Sequence, residues 1–480
     1  MATPRRTRTL AAVVMAAGKG KRLKSDTPKV LHPVAGRPSL WHVLNAVRAV
    51  RPDRTVVVVG VGKERVEVAV RAWWPKDRFT FVDQGEQLGT AHAVLAAERA
   101  VGRAHDVLVA AGDEPLVTAE HLRGLLRVHR RRDMAAVIQT TVPDDARGFG
   151  RIIRDGDDFV RIAEGSDATP AELAVTEVGT SVYAFRRDAL FAALPLVDRE
   201  NRQREHYLPD VLGILREKGE RIAVQTVDFG GAIGANSRAE IARANAVFRR
   251  RLNEAHMAAG VSIVDPETAF VDVGVRIGRD ATILPFTFLE GDTRVGPGAT
   301  VGPSTRLVDT TVGAGATVQF TVANGARIGP RATVGPFTYL RPEAVLEEGS
   351  KAGTFVEIKA SRVGKGSKVP HLSYVGDARI GRGANIGAGT ITVNYDGYEK
   401  HPTYVGDGAR VGSDTMLVAP VRVGRDAFTG AGSAITRDVP PGALAVERSK
   451  QVTVRGYAKR RAETARRAAS GGGSGKRARR

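Results

Sequence analysis

A short basic loop follows the first apolar run of the chain, LAAVVMAAG (residues 10–18), and has the residue types that bind a polyphosphate. Its Gly-Lys-Gly segment (18–20) exposes backbone N–H groups, and Lys21, Arg22 and Lys29 add positive charge nearby. Such N–H groups and cations bind phosphate oxygens. The loop lacks the third glycine of a dinucleotide motif and the Gly-Lys-Ser/Thr ending of a P-loop. The sequence therefore predicts a polyphosphate site that follows neither of these patterns.

A carboxylate lies at the end of a second apolar run, DVLVAAGDEPL (106–116). This run predicts a buried strand that ends near Asp113, and ligands of open α/β sheets collect at the carboxyl ends of strands. A carboxylate that faces a basic loop is best explained by a divalent cation, and Mg²⁺ prefers oxygen ligands and phosphates. The alternative is that Asp113 only caps the following helix. We expect it to bind the metal.

A third group of reactive residues lies in the second half of the chain. His371 occurs in VPHLSYVGD with Tyr374 three positions later, and Arg341 and Lys359 precede it. Histidine titrates in the range that general-base catalysis needs, and the two cations suit the phosphate of a sugar phosphate. We expect Glu357 to orient or polarise His371. A lone histidine in a repeat is more often a plain surface residue, so this site depends on the residues around it.

These residues must be positioned by two different kinds of structure. Residues 10 to about 235 alternate Val- and Ala-rich runs, such as RTVVVVG and MAAVIQTTV, with apolar residues at helical spacing, as in LWHVLNAVRAV. This alternation predicts an α/β domain with a largely parallel sheet. Residues 237–260 predict one long amphipathic helix that links this domain to the second half.

From Val261 onward an aliphatic residue returns every six positions. The clearest series are Ile277, Ile283, Leu289, Val295, Val301 and Leu307; Ile328, Val334, Leu340, Leu346, Ala352 and Ile358; and Val405, Val411, Leu417 and Val423. This period predicts a β-helix in which each unit forms one short strand and one corner, with the aliphatic side chain inside. A Gly-rich sandwich does not predict so constant a register. Residues 393–402, VNYDGYEKHP, interrupt the period, and we expect them to leave the coil.

The bulk composition fits a soluble protein of two or three domains. The 480 residues contain no Cys, which excludes disulfides and thiolate metal sites and suits a reducing cytoplasm. Of the net charge of +20, residues 448–480 carry +11, because twelve Lys and Arg accompany one acidic residue, Glu463. The charge thus belongs mainly to a flexible basic tail, for which nucleic-acid binding is a side role. No run is long enough to span a membrane, and we expect a cytoplasmic protein.

The motifs occur in an order that resembles a known family. They are TPKVLHPVAG (27–36), EQLGTAHA (86–93), GDEPL (112–116), GFGRI (148–152) and IAEGSDAT (162–169), followed by the hexapeptide half. From about Leu10 to Arg448 the chain resembles the bacterial bifunctional N-acetylglucosamine-1-phosphate uridylyltransferase/glucosamine-1-phosphate acetyltransferases. The resemblance implies a nucleotidyltransferase domain with a Rossmann-like mixed sheet, followed by a left-handed β-helix. It implies an enzyme that acetylates glucosamine 1-phosphate with acetyl-CoA and then transfers UMP from UTP to the product, for cell-wall synthesis.

By this resemblance the first domain holds the uridylyl transfer site. The residues near UTP-derived atoms would be Met15, Ala16, Ala17, Gly18 and Lys29, with Gln84, Gly89 and Thr90 at the uracil. The sugar and phosphate side would be lined by Gly112, Asp113, Gly148, Glu164, Gly179 and Asn236. Asp113 and Asn236 would bind Mg²⁺. Lys29 and Arg22 would be catalytic by neutralising charge, since the attacking sugar phosphate is already an anion.

The same resemblance places acetyl transfer in the β-helix, with His371 as the general base. Glucosamine 1-phosphate would bind Arg341, Lys359, Tyr374 and Asn385, and acetyl-CoA would bind Ala388, Asn394, Tyr395, Ser413, Ala431 and Arg448. The loop at 393–402, with its basic residue Lys400, would close over the substrate beside a neighbouring subunit. Such β-helices assemble as homotrimers.

Three departures from the family bear on sugar binding. Ala111 replaces an aromatic residue that is common before Gly112. Gly179 replaces a common Asn, which would remove one hydrogen bond to the sugar. The segment NRQREHYLPD (201–210) also differs from the usual form at its end.

The predicted boundaries are 1–236 for the uridylyltransferase domain, 237–260 for the linking helix, 261–447 for the β-helix and 448–480 for the tail. Two alternatives stay open on the sequence alone. One is a different sugar-1-phosphate nucleotidylyltransferase whose β-helix only regulates or oligomerises, which VPHLSYVGDA and TVNYDGYEK argue against. The other is a scaffold whose basic tail binds nucleic acid. Enzyme activity that survives removal of residues 456–480 would exclude the scaffold.

Overall fold

The computed structural model describes residues 8–143, 146, 149–156, 158–163, 168–199, 204–228 and 234–471. The chain forms two compact units, residues 1–324 and 325–480. The first contains an α/β fold, a long helix and several coils of a β-helix, and the second contains further coils and a C-terminal helix. In the described part of the chain, no helix is long and apolar enough to cross a membrane. The functional boundaries given above stay predictions.

The α/β fold is built on one mixed sheet. The strands of this part of the chain are β1 (Leu10–Met15), β2 (Pro33–Val34), β3 (Arg37–Pro38), β4 (Arg54–Val59), β5 (Phe79–Asp83), β6 (Asp106–Ala111), β7 (Ala136–Thr141), β8 (Arg151–Asp155), β9 (Asp158–Ala163), β10 (Val178–Arg186) and β11 (Ile222–Val227). Of these, β2 and β3 pair only with each other, in a separate two-stranded sheet. The sheet order is β11-β7-β10-β6-β1-β4-β5, with β8 beside β10 and β9 beside β8. β10 runs antiparallel to β6 and β7, whereas β1 is parallel to β4 and β6. The predicted Rossmann-like mixed sheet is confirmed.

Helices cover both faces of this sheet. They are α1 (Ser39–Ala49), α2 (Lys63–Trp73), α3 (Thr90–Ala96), α4 (Glu98–Val101), α5 (Ala119–Arg131), α6 (Pro170–Leu173), α7 (Arg187–Ala193) and α8 (Asp210–Glu217). Successive strand residues face opposite sides, so Val13 packs in one core with α3, α7 and α8, and Val14 packs in the other with α1 and α5. Burial on both sides explains why the strands read as unbroken apolar runs.

The pairing of β1 with β6 brings the first two predicted site segments together. The strands are parallel, with Met15 opposite Ala111. The carboxyl ends of parallel neighbours meet at one edge of a sheet. The N–H of Gly112 donates to the carbonyl of Met15 at 2.8 Å. The basic loop and Asp113 therefore leave the sheet side by side.

The predicted helix at 237–260 forms as α9 (Arg238–Ala258). It begins after Ser237, whose hydroxyl accepts a hydrogen bond from the N–H of Glu240 at 3.3 Å, as an N-cap does. Asn253 is fully buried, and its amide donates to the carbonyls of Pro266 and Ala269. These bonds join the helix to the chain that begins the β-helix.

The coils of the first unit follow α9. Their strands are β12 (Ser262–Ile263), β13 (Ala269–Val271), β14 (Arg276–Ile277), β15 (Thr282–Ile283), β16 (Thr287–Glu290), β17 (Arg294–Val295), β18 (Thr300–Val301), β19 (Thr305–Val308), β20 (Thr311–Val312), β21 (Thr317–Val318) and β22 (Thr321–Asn324). Every third strand pairs in parallel, as β12 does with β15 and β13 with β16. Three narrow sheets therefore enclose an interior, which contains buried aliphatic residues such as Leu289 and Val301.

The second unit repeats this construction. Its strands are β23 (Arg327–Ile328), β24 (Thr333–Val334), β25 (Thr338–Leu340), β26 (Val345–Leu346), β27 (Lys351–Thr354), β28 (Glu357–Lys359), β29 (Arg362–Val363), β30 (Lys368–His371), β31 (Tyr374–Gly376), β32 (Ala378–Ile380), β33 (Asn385–Ile386), β34 (Ile391–Val393), β35 (Thr403–Val405), β36 (Arg410–Val411), β37 (Met416–Val418), β38 (Val421–Val423), β39 (Phe428–Thr429), β40 (Ala434–Ile435) and β41 (Leu444–Ala445). The predicted inward residues, from Ile328 to Ile358 and from Val405 to Val423, are buried. The left-handed parallel β-helix of hexapeptide repeats is confirmed.

The last described element is α10 (Tyr457–Gly471). It lies in the stretch that was predicted as a flexible tail, and its Ala, Lys and Arg residues have high intrinsic helix propensity. Every side chain described there, from 457 to 469, is exposed. The flexibility of the tail stays a prediction, but these residues are helical.

Candidate active sites

A cleft of about 980 Å³ opens in the first unit beside the carboxyl ends of β1 and β6. The predicted residues that line it are Met15, Ala17, Gly18, Arg22, Lys29, Gln84, Gly89, Thr90, Asp113, Gly179 and Asn236. Ala16 and Gly112 lie behind this wall, and their N–H groups bond the carbonyls of Val58 and Met15. Gly148 and Glu164 lie outside the described residues.

On one part of the cleft wall, glycine is required by close packing. Gly89 has a φ of 121°, and a Cβ there would lie 2.3 Å from the carbonyl oxygen of His206. The side-chain amide of Gln84 donates to the carbonyl of Gly89 at 3.0 Å, and the hydroxyl of Thr90 accepts from the N–H of Leu208 at 2.9 Å. The three residues expected at the uracil are therefore held together on one wall.

On another part of the cleft wall, a lysine contacts two side-chain oxygens. The ammonium group of Lys29 contacts the carboxylate of Asp113 and donates to the amide oxygen of Asn236 at 2.5 Å. Lys29 begins a single 3-10 turn, Asp113 follows β6, and Asn236 lies two residues before α9. The side chains of Lys29 and Asp113 are 16% and 15% exposed, so the pair is accessible from the cleft.

The oxygens of Asp113 and Asn236 fit a magnesium ion. They already surround one cation, the Lys29 ammonium. Mg²⁺ prefers oxygen ligands, usually one or two protein carboxylates or amides completed by phosphate oxygens and water. Across the described residues, no cluster of three His, Cys, Asp or Glu side chains is suited to a metal. Two protein oxygens suit a metal whose other ligands are phosphate oxygens and water.

Sequence reasoning missed several residues at the wall. Glu114, Ser181, Gln87, Phe149, Glu205 and Arg243 also line the cleft. Gln87 and Glu114 occur in the quoted motifs EQLGTAHA and GDEPL, so those motifs already held the signal for them. Ser181 lies on β10 and meets Glu114 only because β10 pairs antiparallel with β6. No sequence signal indicated that pairing.

Glu114 is a buried carboxyl group in this wall. It is 6% exposed, and its Oε1 accepts a hydrogen bond from the N–H of Ser181 at 2.9 Å. Burial, followed by the nearby charge of Asp113, raises the pKa of Glu114 to about 7. Among the residues that the structure describes, its Oε2 has no hydrogen-bond partner.

The space beside Gly179 is apolar. A Cβ at this position would lie 3.3 Å from Cδ1 of Ile138 and 3.4 Å from Cδ1 of Ile152. An Asn side chain would therefore begin against the core below the sheet rather than in open space. Gly179 contributes only backbone to the cleft.

In the β-helix, three cations lie close together. The ammonium of Lys359 donates to both carboxylate oxygens of Asp377 at 3.0 Å, and Arg341 donates to Glu357 at 3.0 Å. The side-chain contact with Lys359, followed by the positive charge of Lys359, lowers the pKa of Lys400, and the charge of Arg341 adds to this effect. Neighbouring like charges favour a bound anion between them. This group suits the phosphate of a sugar phosphate.

The side chains of Tyr374 and Asn394 both lie against the Cα of Gly376. A Cβ on Gly376 would lie 2.4 Å from the hydroxyl of Tyr374 and 2.8 Å from Nδ2 of Asn394. Asn394 also donates to the carboxylate of Asp377, the partner of Lys359. The predicted sugar-phosphate and acetyl-CoA residues therefore share one network on this wall.

His371 lies at the end of β30, with Thr354 in register on β27. Asn385 lies on β33, the next strand of that sheet, opposite Lys368. His371 is exposed, and no ring hydrogen bond is found for it among the described residues. Glu357 bonds Arg341, so its expected role beside His371 stays a prediction.

The interruption at 393–402 leaves the coil between β34 and β35. Asp396 orders this loop: its carboxylate accepts from the N–H groups of Tyr398 and Glu399 and contacts the His401 ring at 2.7 Å. These bonds hold the pKa of Asp396 well below its ordinary value. The hydroxyl of Tyr395 donates to the carbonyl of Gly397 at 2.7 Å. The loop therefore has its own internal structure although Tyr395 and Tyr398 are exposed.

The remaining residues expected to bind acetyl-CoA form a row along one corner of the β-helix. Ala388, Ser413 and Ala431 occupy the same position after β33, β36 and β39. Arg448 contacts the last residue of this row, since its guanidinium group donates to the carbonyl of Ala431 at 3.2 Å. Gly387, which precedes Ala388, approaches the backbone of the next coil so closely that a Cβ would lie 2.4 Å from the nitrogen of Ser413. A straight row of small residues suits an extended ligand.

The fold and these sites define a nucleotidyltransferase joined to a hexapeptide-repeat β-helix. Residues 12–206 match the model of the MobA-like NTP transferase domain. The chain is 46% identical to the bifunctional protein GlmU of Desulfitobacterium hafniense, and the matched region covers 92% of this chain and 96% of that relative. It is 47% identical to GlmU of Streptomyces avermitilis, over 95% of each chain, and 45% identical to GlmU of Syntrophomonas wolfei, over 92% and 98%.

The chain belongs to the bifunctional GlmU family. It is a bifunctional enzyme, an N-acetylglucosamine-1-phosphate uridylyltransferase and glucosamine-1-phosphate acetyltransferase. The expected reaction class is confirmed. The roles of individual residues stay predictions.

Proposed function

We propose that the cleft of the first unit transfers UMP and that the cation group of Arg341, Lys359 and Lys400 binds the sugar phosphate for acetylation. The observation that carries the first assignment is the contact of Lys29 with Asp113 and Asn236 at the cleft wall. The acetylated sugar phosphate made in the β-helix is then the substrate of the cleft. The predicted boundaries at 236, 260 and 447 belong to this proposal.

In the cleft, a phosphate oxygen of N-acetylglucosamine 1-phosphate attacks the α-phosphorus of UTP. The new P–O bond forms as the bond to pyrophosphate breaks, and no proton has to be removed from the nucleophile. Lys29 and Arg22 neutralise the phosphates, and Gln84, Gly89 and Thr90 hold the base. Mg²⁺, bound by Asp113 and Asn236, supplies further charge neutralisation when present. The work of the protein is positioning and electrostatic stabilisation.

In the β-helix, the amino group of glucosamine 1-phosphate attacks the thioester carbonyl of acetyl-CoA. The C–N bond forms, the C–S bond breaks, and His371 accepts the proton that the amine loses. Arg341, Lys359 and Tyr374 hold the sugar phosphate, with Asn385 on the neighbouring sheet. The loop around Asn394 and Tyr395 closes over both substrates.

We propose a homotrimer that assembles through the β-helix. The support is a column of apolar corner residues in the second unit, Phe337, Phe355 and Leu372, which are 55–59% exposed. All three have positive φ, an unfavourable conformation for such residues. The rings of Phe337 and Phe355 stack at 5.3 Å. A contiguous apolar column of this kind marks an interaction surface, and a second copy of the chain would cover it.

We also propose that the enzyme acts in the cytoplasm, where UTP and acetyl-CoA are available. The test of the proposed function supplies glucosamine 1-phosphate, acetyl-CoA, UTP and Mg²⁺ to the purified protein. Free CoA and pyrophosphate report the two steps separately, and both should appear, with CoA first. A chain that ends at residue 455 should keep both activities. Loss of both in a trimeric truncated chain would contradict the assignment of the tail to a side role.

A further inference from the structure

Glu114 has a free carboxylate oxygen in the cleft wall, and none of the roles above uses it. The residue is 6% exposed and lines the cleft together with Gly179 and Ser181. Oε1 accepts a hydrogen bond from the N–H of Ser181 at 2.9 Å, and Oε2 is buried with no hydrogen-bond partner in the described part of the chain. Buried polar atoms in proteins are nearly always hydrogen-bonded, and an exception calls for an explanation.

The position of Glu114 selects the sugar as its partner. It follows Asp113, which contacts Lys29 at the phosphate end of the cleft. A carboxyl group beside Asp113 is unsuited to phosphate, because like charges repel. The neutral donors on this substrate are the hydroxyl groups and the amide N–H of the sugar. Gly179 offers no side chain on the same wall, and Ile138 and Ile152 fill the space beside its Cα.

We propose that Oε2 of Glu114 is a sugar-specificity contact, which hydrogen-bonds one hydroxyl or amide group of the bound N-acetylglucosamine 1-phosphate. The proposal rests on the proposed function of the cleft. Ser181 holds the carboxyl group through its N–H, which bonds Oε1, and through its side chain. Oε2 is the oxygen that we assign to the ligand. The alternative is that Glu114 only ties β10 to the end of β6 through Ser181.

Two variants separate these roles. Glu114→Gln keeps an acceptor for the N–H of Ser181 and nearly the same shape, but replaces Oε2 by a donor. Glu114→Ala removes both interactions. The substrates are N-acetylglucosamine 1-phosphate, its 3-, 4- and 6-deoxy analogues, and glucose 1-phosphate, which lacks the amide. The measurement is kcat/KM for pyrophosphate release with each sugar at saturating UTP and Mg²⁺.

If Glu114 contacts the sugar, the wild-type enzyme should have a kcat/KM about 10- to 100-fold lower for one of the analogues than for N-acetylglucosamine 1-phosphate. This is the range for losing a hydrogen bond to a charged group. In Glu114→Ala that one difference should fall to about twofold, while the other differences persist. In Glu114→Gln the ratio of kcat/KM between the parent sugar and that analogue should change, while the ratios for the other analogues stay as in the wild type. If Glu114→Gln behaves like the wild type with every sugar, and Glu114→Ala loses activity uniformly, the purely structural role is correct.

Failure of the proposed function itself would look different, because the wild type would then release no pyrophosphate from any of these sugars. UDP binding by calorimetry and acetyl transfer by the same chain verify that each variant is folded. If Glu114→Ala no longer binds UDP, the ratio in Glu114→Gln decides. An unchanged ratio there overturns the sugar contact.

Discussion

The ammonium group of Lys29 contacts the carboxylate of Asp113 and also donates a hydrogen bond to Asn236 at 2.5 Å. One ammonium group thus contacts both of the oxygens that we assign to the metal. Two cations cannot share this position. We therefore expect Lys29 to move when a metal binds these oxygens and to contact the phosphates of UTP instead. The contact couples the phosphate-binding loop to the metal ligands.

Removing the side chain of Lys29 or of Asp113 should abolish uridylyl transfer and leave acetyl transfer intact. Lys29→Ala removes a charge that stabilises the transferring phosphate, and Asp113→Ala removes a metal ligand. We expect each variant to release pyrophosphate at least about 100-fold more slowly, while CoA release from acetyl-CoA stays within about twofold of the wild type. The control is Lys76→Ala, on the surface outside the cleft. Loss of both activities in trimeric Lys29→Ala would show that the two sites are not separate.

Removal of His371 should abolish acetyl transfer alone. A sugar amine has a pKa near the α-amino reference of about 7.7 to 8.0, and the proton lost during attack needs an acceptor. Loss of a general base typically costs about 10²- to 10⁴-fold in rate. We expect that decrease in kcat for His371→Ala, with little change in the KM for acetyl-CoA. Pyrophosphate release from N-acetylglucosamine 1-phosphate should be unaffected. More than about a tenth of the wild-type acetylation rate would move the base elsewhere, with Glu357 as the next candidate.

The loop at 393–402 should depend on Asp396. Its carboxylate accepts two backbone hydrogen bonds and contacts His401. Asp396→Ala removes these bonds, so we expect the KM for acetyl-CoA to rise about 5- to 20-fold, on the order of one to two hydrogen bonds. The matched control is Glu399→Gln in the same loop, which should keep the wild-type KM. Equal KM values in both variants would mean that Asp396 does not order the loop for binding.

The apolar column should hold the trimer together. We expect Phe355→Asp to shift the protein from trimer to smaller species in sedimentation velocity at micromolar concentration, because a carboxylate would be buried without a partner. The control is Val452→Asp, which changes an exposed apolar residue outside the column. Acetyl transfer should fall with the trimer if neighbouring chains complete the site. A stable Phe355→Asp trimer would place the interface on another face.

Stability of the α/β fold should depend on Asp106 in a defined pH range. Burial raises the pKa of this carboxyl, but hydrogen bonds from His129 and Arg130 outweigh it and hold the pKa below its ordinary value. The unfolded chain therefore binds more protons in this range, so the contribution is present above the unfolded pKa of about 3.9 and is lost as pH falls through the lower folded value.

We expect Asp106→Asn to lower the unfolding free energy of this domain by roughly 1.5 to 3 kcal/mol at pH 7, and the difference to shrink only below about pH 4. Urea unfolding from pH 8 to pH 3 measures it. The control is Asp188→Asn at the exposed ion pair with Arg187, which should change little. A difference that shrinks already at pH 6 would contradict the assignment of this contribution to the Asp106 carboxyl.

Much of the fold is determined by local sequence pattern. Strands such as β1 and β6 read as apolar runs because they are buried on both faces. The period of six arises because each six-residue unit forms one side of a three-sided coil and points one aliphatic side chain into the interior. The motifs around Lys29, Asp113 and His371 marked two chemical centres, and comparison with relatives confirmed the two reactions. α10 was missed because composition indicates charge more directly than helix formation.

The contacts between segments that are distant in the sequence are determined only by the tertiary structure. Lys29 and Asn236 are 207 positions apart, and Glu114 and Ser181 are 67 apart. Arg341, Lys359 and Lys400 come together because successive coils stack and the loop folds back. A sequence pattern reports which face of an element is apolar, but the partner of each polar atom depends on strand order and register. That order is set by the packing of the whole core, and so the free oxygen of Glu114 is visible only in the folded chain.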